Sequence, residues 1–162
     1  MSVPDVSASG LRPGWSVLCV CLNNICRSQM AEVVLRAYAA RVGLALEVAS
    51  AATRDWHVGS PPDSRAVAAA STRGYDLANN RARALVAEDF DRYDAILAMD
   101  ANDLAVLEER RPAECRAAIG LFDPGGEDVP DPYFGERQSF EAVLQRIEAA
   151  AEQLIGTRPV ET

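Results

Sequence analysis

The chain contains no lysine and only one histidine. All 16 basic residues among its 162 residues are arginine, and they face 24 acidic residues, which gives a formal net charge of −8. Binding to a nucleic-acid backbone needs a basic face, so this charge argues against nucleic acid as a general partner. Any anion that the protein binds must therefore be held at a local site.

Long apolar runs are also missing. No stretch reaches the roughly 18 apolar residues that a membrane-spanning helix requires. Residues 1–14 lack the basic start and apolar centre of a secretory signal. We therefore expect a cytoplasmic protein that does not bind membranes, although secretion without a signal peptide stays open.

Cysteine is scarce, and its positions do not suggest a structural role. Cys19, Cys21 and Cys26 lie in one short segment and Cys115 lies far from them, which is a poor framework for disulfides. The single histidine, His57, has no second ligand pair that would complete a zinc site. We expect neither a metal nor a cofactor.

Alternating strand and helix patterns predict one α/β domain over residues 15–158, preceded by a flexible tail over residues 1–14. The predicted strands are residues 16–21, 44–50, 94–99 and 117–122, and the predicted helices are residues 29–42, 64–73, 87–93, 102–111 and 137–155. This alternation gives a three-layer sandwich, in which a short parallel sheet has helices on both faces. The crossovers between parallel strands should be right-handed.

The segment from Cys21 to Ser28, between the first strand and the first helix, has the chemistry of an anion site. The first N–H groups of a helix have no partner within it, and a curled loop turns further N–H groups inward. Cys21 would lie beneath the anion, where these dipoles and the Arg27 guanidinium favour the thiolate. Thiols in such settings have pKa values of roughly 3.5–7.5.

Polar residues also follow the other predicted strands. Because ligands of parallel sheets bind at the carboxyl ends of the strands, Ser50, Asp100 and the loop 123–135 should gather near Cys21. The loop carries three carboxylates, and residue chemistry alone does not rank them as proton donors: Asp123, Asp128 and Asp131.

The run Val-Cys-Leu-Asn-Asn-Ile-Cys-Arg-Ser-Gln-Met-Ala-Glu at residues 20–32 resembles the phosphate-binding loop of the low molecular weight protein tyrosine phosphatases. The resemblance continues in the same order through residues 50–53, 56–63, 98–100 and 131–133. It implies a flavodoxin-like sheet of strand order 2-1-3-4 and a monomer. It also implies that the protein hydrolyses phosphotyrosine in protein substrates and releases inorganic phosphate.

The resemblance assigns catalytic roles to four residues. Cys21 attacks phosphorus and forms a phosphocysteine intermediate. Arg27 holds two phosphoryl oxygens, and Ser28 donates a hydrogen bond to the thiolate. Asp131 acts as general acid and then as general base, and it is chosen over its neighbours because a proline and a tyrosine follow it.

Further residues match the family's binding surface and its supports. The loop residues implied to surround the phosphate are Leu22, Asn23, Asn24, Ile25, Cys26 and Arg27. The aromatic residues implied to line the substrate pocket, where they would favour phosphotyrosine over the shorter phosphoserine, are Trp56, Tyr133 and Phe134. The supporting residues are Asn24, Ser50 and Asp100, with Asn24 and Ser50 expected in a hydrogen-bond network that holds the loop.

The chain departs from the family pattern at three positions. Asn23 replaces a glycine, and we expect it to tolerate a positive φ if that position requires one. Gln29 replaces a common proline at the start of the helix. Asn80 stands where a histidine is common, so the network beneath the loop is expected to differ.

Other activities share parts of this pattern. A phosphotyrosine-binding pseudophosphatase would follow if Asn23 and Asn80 silenced the thiolate. A protein-arginine phosphatase typically has threonine where this chain has Ile25. A thioredoxin-coupled arsenate reductase needs two further cysteines, and none occurs between residues 27 and 100.

Overall fold

A computed structural model describes residues 10–156 and confirms the predicted architecture. Its strands are β1 (Trp15–Cys21), β2 (Leu46–Ala52), β3 (Ala95–Ala98) and β4 (Ala118–Leu121). Its helices are α1 (Arg27–Arg41), α2 (Ser64–Thr72), α3 (Asp89–Arg92), α4 (Ala101–Arg110) and α5 (Arg137–Ile155). All strand pairs are parallel, and the strand order is β2-β1-β3-β4, the predicted order.

The two faces of the sheet bury separate apolar clusters, because successive side chains of a strand point to opposite faces. From β1, Val17, Cys19 and Cys21 face the cluster formed with α1, α2 and α5. Leu18 and Val20 face the smaller cluster on the side of α3 and α4. Cys21 therefore points towards the face that carries α1.

The register of the sheet brings the carboxyl ends of its strands to one edge. Cys21 pairs with Ala52 at the end of β2, and Val20 pairs with Ala98 at the end of β3. The Thr53 N–H donates to the Cys21 carbonyl at 2.9 Å, so the chain after β2 stays beside the chain after β1. The loops that follow the strands therefore meet around Cys21.

Some element boundaries differ from the prediction by about two residues. Helix α1 begins at Arg27 rather than Gln29, because the Met30 N–H already donates to the Cys26 carbonyl at 2.9 Å. Arg27 and Ser28 therefore belong to the first helical turn. Strand β2 runs over Leu46–Ala52, two residues later than expected.

The predicted flexible tail is wrong for residues 10–14. Leu11 is fully buried, and its N–H donates to the Leu154 carbonyl at 3.0 Å. The Gly14 N–H donates to the Ala45 carbonyl at 2.8 Å. The proline and glycine content of this segment suggested a flexible tail, although Leu11 anchors it to the domain. Residues 1–9 and the predicted domain end at 158 lie outside the described residues.

Within residues 10–156, no helix has both the length and the apolar character needed to cross a bilayer.

Replacing Leu11 with alanine should lower the free energy of unfolding by about 2–5 kcal/mol, the usual cost of truncating a buried leucine. Urea unfolding of both proteins measures this difference. Val58→Ala is the control, because that side chain is 56% exposed and its truncation should cost less than about 0.5 kcal/mol. Equal stability of Leu11→Ala and the unchanged protein would show that the segment does not anchor the domain.

Candidate active site

The loop between β1 and α1 holds the Cys21 thiol against the first turn of the helix. The Cys21 Sγ lies 3.0 Å from the Ser28 Oγ, and the Asn24 N–H points at the same sulfur at 3.3 Å. The Asn24 side-chain amide donates to the Ser28 Oγ at 2.7 Å. Since that oxygen already accepts a hydrogen bond, the Ser28 hydroxyl proton is free to point at the sulfur. The Ser28 hydroxyl and the Asn24 N–H thus converge on the Cys21 sulfur.

Asn24, and not Asn23, adopts the left-handed backbone conformation. Its φ is 56°, the single positive value at a non-glycine residue in the described part of the chain. Asn23 does not have a positive φ, so the tolerance that we expected of it is not needed at that position. Asparagine tolerates the left-handed conformation better than most residues. The Asn24 side chain also makes hydrogen bonds in two directions. The Asn24 Oδ1 accepts from the Arg83 N–H at 3.1 Å, opposite the bond to Ser28.

Two of the departures from the family pattern contact one another. The Asn80 Nδ2 donates to the Gln29 Oε1 at 2.6 Å, and the Gln29 Nε2 donates to the Asn24 carbonyl at 3.1 Å. Gln29 is only 1% exposed, and its bond to the Asn24 carbonyl is buried, while the bond from Asn80 is partly buried. The two side chains form one amide relay that restrains the Asn24 backbone.

Arg27 places its guanidinium at the floor of the cleft. Its Nη1 donates to the Asp100 Oδ2 at 2.6 Å and to the Val129 carbonyl at 3.1 Å. Burial disfavours its charge, but the Cys21 thiolate and the carboxylates of Asp100 and Asp103 outweigh burial and raise the pKa of Arg27. Arg27 therefore stays protonated at the site.

Asp100 is both the ion-pair partner of Arg27 and the N-cap of α4. Its Oδ1 accepts from the Asp103 N–H at 2.8 Å. Burial tends to raise the pKa of Asp100, but the hydrogen bonds from Arg27 and from the Asp103 N–H together lower it. The predicted supporting role is consistent with this geometry, because Asp100 orients Arg27 from the end of β3.

The structure distinguishes the three carboxylates of the loop after β4. Asp131 borders the cleft, and its Oδ2 lies 3.7 Å from the Arg27 Nη2. Asp128 instead accepts from the Ala101 N–H at 2.9 Å, and Asp123 accepts from the Gly125 N–H at 2.8 Å. Of the three, only Asp131 lines the cleft that Cys21 also lines.

One cleft contains most of the predicted phosphate-binding residues. Its lining consists of Cys21, Leu22, Asn23, Ile25, Cys26, Arg27, Asp131 and Tyr133. Asn24 is fully buried beneath this surface and supports it from below. Among residues 10–156, no group of three His, Cys, Asp or Glu side chains is arranged to hold a metal ion.

Of the three predicted aromatic residues, the structure places only Tyr133 against the cleft. Trp56 is 72% exposed, and the Arg54 guanidinium lies 3.6 Å from the centroid of its ring. Phe134 is 99% exposed and meets Tyr133 edge-on, with the ring centroids 5.1 Å apart. Trp56 and Phe134 lie outside the lining because their loops hold them towards solvent.

Comparison with known proteins decides the family. The model of the family "low molecular weight phosphotyrosine protein phosphatase" matches residues 16–161. A low molecular weight protein-tyrosine-phosphatase of Streptomyces coelicolor is 41% identical over 152 residues, which cover 88% of this chain and 92% of the relative. The chain belongs to this phosphatase family.

Solved structures support the same assignment. A protein tyrosine phosphatase from Entamoeba histolytica, with Hepes in its active site, superposes with a TM-score of 0.83 at 34% identity, covering 88% of this chain and 95% of that one. Vibrio vulnificus Wzb in complex with benzylphosphonate gives a TM-score of 0.76 at 30% identity, covering 85% of this chain and 94% of that one.

In this member of the phosphatase family, Ser50 does not hold the loop. Its hydroxyl donates to the Glu32 Oε1 at 2.7 Å, a bond that joins β2 to α1. The prediction that Ser50 belongs to the loop's hydrogen-bond network is wrong. Ser50 pairs with Cys19 in the sheet, two residues short of Cys21, and so lies below the loop.

Two residues at the site of this phosphatase-family protein were missed by the sequence analysis. The Arg54 Nε donates to the Asn23 Oδ1 at 2.7 Å, and no local motif signals this contact. Asp103 is 2% exposed and lies behind Arg27, where burial and the Asp100 charge raise its pKa to about 7. An acidic residue in a first helical turn is common, so its position in the sequence gave no warning.

Replacing Asn24 should separate its backbone role from its side-chain role. Asn24→Gly keeps the left-handed conformation but loses the amide bonds, whereas Asn24→Ala loses both. We expect Asn24→Ala to be less stable than Asn24→Gly by about 1 kcal/mol in urea unfolding. At Asn23, where φ is not positive, Asn23→Ala should instead be at least as stable as Asn23→Gly. The same order at both positions would contradict a special backbone requirement at Asn24.

Proposed function

We propose that the protein hydrolyses phosphotyrosine in protein substrates through a phosphocysteine intermediate on Cys21. The observation that carries this proposal is the convergence of four groups on one cleft. The Ser28 hydroxyl and the Asn24 N–H point at the Cys21 sulfur, while Arg27 and Asp131 border the space above it. A nucleophile, an anion-binding cation and a proton donor are thus close together, which is what phosphoryl transfer to a thiolate needs.

In the first step, the Cys21 thiolate attacks phosphorus and the bond from phosphorus to the phenolic oxygen breaks. The leaving phenolate takes a proton from the Asp131 carboxyl group, whose side chain is 43% exposed and so accessible to a substrate. Arg27 has its Nη1 fixed by Asp100 and Val129, which leaves its Nη2 directed towards the cleft. Its charge and the loop N–H groups stabilise the phosphoryl oxygens as charge spreads over them.

In the second step, water attacks the phosphocysteine, and the Asp131 carboxylate takes a proton from that water. The phosphorus–sulfur bond breaks, inorganic phosphate leaves and Cys21 departs as the thiolate. Ser28 stabilises the departing sulfur, because its hydroxyl lies 3.0 Å from the Sγ and is oriented by Asn24. The same hydrogen bond therefore serves the attack and the departure of Cys21.

Aromatic residues at and near the cleft support an aromatic phosphate ester as the substrate. The benzylphosphonate bound to Vibrio vulnificus Wzb carries a phenyl ring on its phosphonate, as phosphotyrosine does on its phosphate. Here Tyr133 lines the cleft, and Trp56 and Phe134 expose their rings. In this proposal Tyr133 contacts the substrate's phenyl group, and the exposed rings of Trp56 and Phe134 contact the residues that flank it.

Alternative activities on the same fold have weaker support. Ile25 lines the cleft at the position where threonine is typical of arginine phosphatases. A binding module without turnover needs a defective catalytic group, whereas Cys21, Arg27 and Asp131 border the same cleft. We retain the predictions of a cytoplasmic location and a monomer.

Catalysis should depend on Cys21 and Asp131 in different ways. Cys21→Ser should abolish release of phosphate from a phosphotyrosine peptide. Asp131→Ala should lower kcat by roughly 10²–10⁴-fold, with a smaller loss for p-nitrophenyl phosphate, whose leaving group needs less protonation. Asp123→Ala is the matched control from the same loop, and its kcat should stay close to that of the unchanged protein. Turnover that survives in Cys21→Ser would exclude the phosphocysteine route, and a folded protein without turnover would favour a binding module.

Oxidation of the site should produce a disulfide between Cys21 and Cys26. Both residues line the cleft, and burial, followed by the Cys21 charge, raises the pKa of Cys26 well above its usual value, so Cys26 is held as the thiol. Peroxide oxidises the Cys21 thiolate to sulfenic acid, and Cys26 then forms the S–S bond as water leaves. After mild peroxide treatment, mass mapping should find this bridge, and thiol reductant should restore activity. In Cys26→Ala, oxidation should instead become irreversible; absence of the bridge in the unchanged protein would overturn the proposal.

A further inference from the structure

Asp103 carries a carboxyl group behind Arg27 that the two catalytic steps leave unused. Its side chain is buried, and its Oδ2 has no hydrogen-bond partner. That oxygen lies 3.8 Å from the Arg27 Nη2. The Asp103 N–H donates to Asp100, the N-cap of α4, but this bond uses only the backbone of Asp103 and not its carboxyl group. A buried carboxylate oxygen without a hydrogen-bond partner is costly, so either the group is neutral or it serves the neighbouring cation.

Arg27 is surrounded by more negative charge than it can neutralise. Its guanidinium lies 2.6 Å from Asp100, 3.7 Å from Asp131 and 3.8 Å from Asp103. Asp131 carries a proton in the first catalytic step, so the positive charge of Arg27 faces the carboxylates of Asp100 and Asp103, and the net charge of these groups is −1 when both are ionised. A phosphoryl dianion entering the cleft would meet this charge in addition to the Cys21 thiolate. A second proton, on Asp100 or Asp103, would remove this excess negative charge.

The surroundings indicate that Asp103 holds this proton. Among residues 10–156, the charged groups that face it are Asp100 on its own helix, Arg27 on α1 and Asp131 on the loop after β4. Asp100 is kept ionised by its hydrogen bonds, and its pKa is lowered despite burial. For Asp103, burial and the Asp100 charge raise the pKa to about 7, because they outweigh the attraction of Arg27.

We propose that Asp103 is a positioning residue that is protonated when the site binds phosphate, and that loss of its proton weakens the hold of Arg27 on the phosphoryl group. This inference rests on the proposed function, since it concerns the same anion site. Neutral Asp103 leaves the Arg27 Nη2 to the ligand. Ionised Asp103 competes for that Nη2 and adds a negative charge behind it.

The sign of the pH dependence follows from the raised pKa. Asp103 is neutral below about pH 7 and becomes charged as the pH rises through that value. Affinity for a dianion should therefore fall on the alkaline side. The folded protein also binds this proton more tightly than the unfolded chain does. The contribution of Asp103 to stability should therefore fall as the pH rises from about 4, its unfolded value, to about 7.

Sulfate is a suitable probe because it remains a dianion from pH 5.5 to 8.5, and Cys21→Ser removes the titration of the thiol. Calorimetry should measure sulfate binding to Cys21→Ser and to Cys21→Ser/Asp103→Asn across this range. Asparagine has the shape of the neutral acid. We expect Cys21→Ser to lose affinity about three- to tenfold as the pH rises, the effect of one added charge at a screened distance, and the double variant to lose much less.

Asp128→Asn in the Cys21→Ser protein is the matched control. This change removes a carboxylate near the start of α4, where Asp128 accepts a hydrogen bond from the Ala101 N–H. Asp128 does not contact Arg27. This control should keep the full pH dependence. Asp103→Ser provides a second neutral variant if Asp103→Asn folds poorly, as judged by thermal unfolding. Parallel pH profiles with and without the Asp103 carboxyl group would overturn the proposal.

Sulfate binding requires no turnover, so the test remains separate from the proposed function. A protein that binds sulfate with the expected pH dependence but releases no phosphate from phosphotyrosine would disprove the catalytic role and keep the role of Asp103. In the active protein, Asp103→Asn should move the alkaline limb of kcat/KM to higher pH. An unchanged limb would count against Asp103.

Discussion

The site depends on the left-handed turn of the backbone at Asn24. A chain that leaves the central strand and enters a helix within five residues must reverse sharply, and Asn24 provides that reversal at a φ of 56°. Its amide then bonds to Ser28 on one side and to the Arg83 backbone on the other. These bonds direct the Ser28 hydroxyl proton at Cys21 and place the loop over the end of the sheet. The backbone conformation and the chemistry of the nucleophile are thus set by the same residue.

The electrostatics of the site depend on how the surrounding helices orient Arg27 and its neighbouring carboxylates. Arg27 enters the cleft from the first turn of α1, and Asp100 fixes one of its nitrogens from the N-cap of α4. The cation is thereby oriented before a ligand arrives, which limits the reorganisation needed in the transition state. The same packing places Asp103 and Asp131 near the other nitrogen. The helices that position the cation therefore also set how strongly it attracts an anion.

Residues that differ from the family pattern hold the phosphate-binding loop through hydrogen bonds of their own. Gln29 and Asn80 replace residues common in the family, and they bond to each other and to the Asn24 carbonyl. Two changes that look independent in the sequence therefore act as one relay. On the rim, Arg54 connects the side chain of Asn23 with the ring of Trp56. The contacts of Arg54 with Asn23 and of Asn80 with Gln29 join residues 31 and 51 positions apart, so local patterns cannot reveal them.

The sequence by itself determined the alternation of strands and helices, the sheet order and the residues of the anion loop. The alternation follows from local periodicity and the loop from a motif that is continuous in the chain, whereas the sheet order was implied by the resemblance to the phosphatase family. Tertiary structure placed Asp131, which the resemblance had already selected, at the cleft, and it alone decided that Ser50 lies below the loop. It also decided that Leu11 anchors the start of the domain and that Asp103 is buried behind Arg27. The physical reason is that burial and the approach of charges depend on how distant segments pack, and a single stretch of sequence does not contain that information.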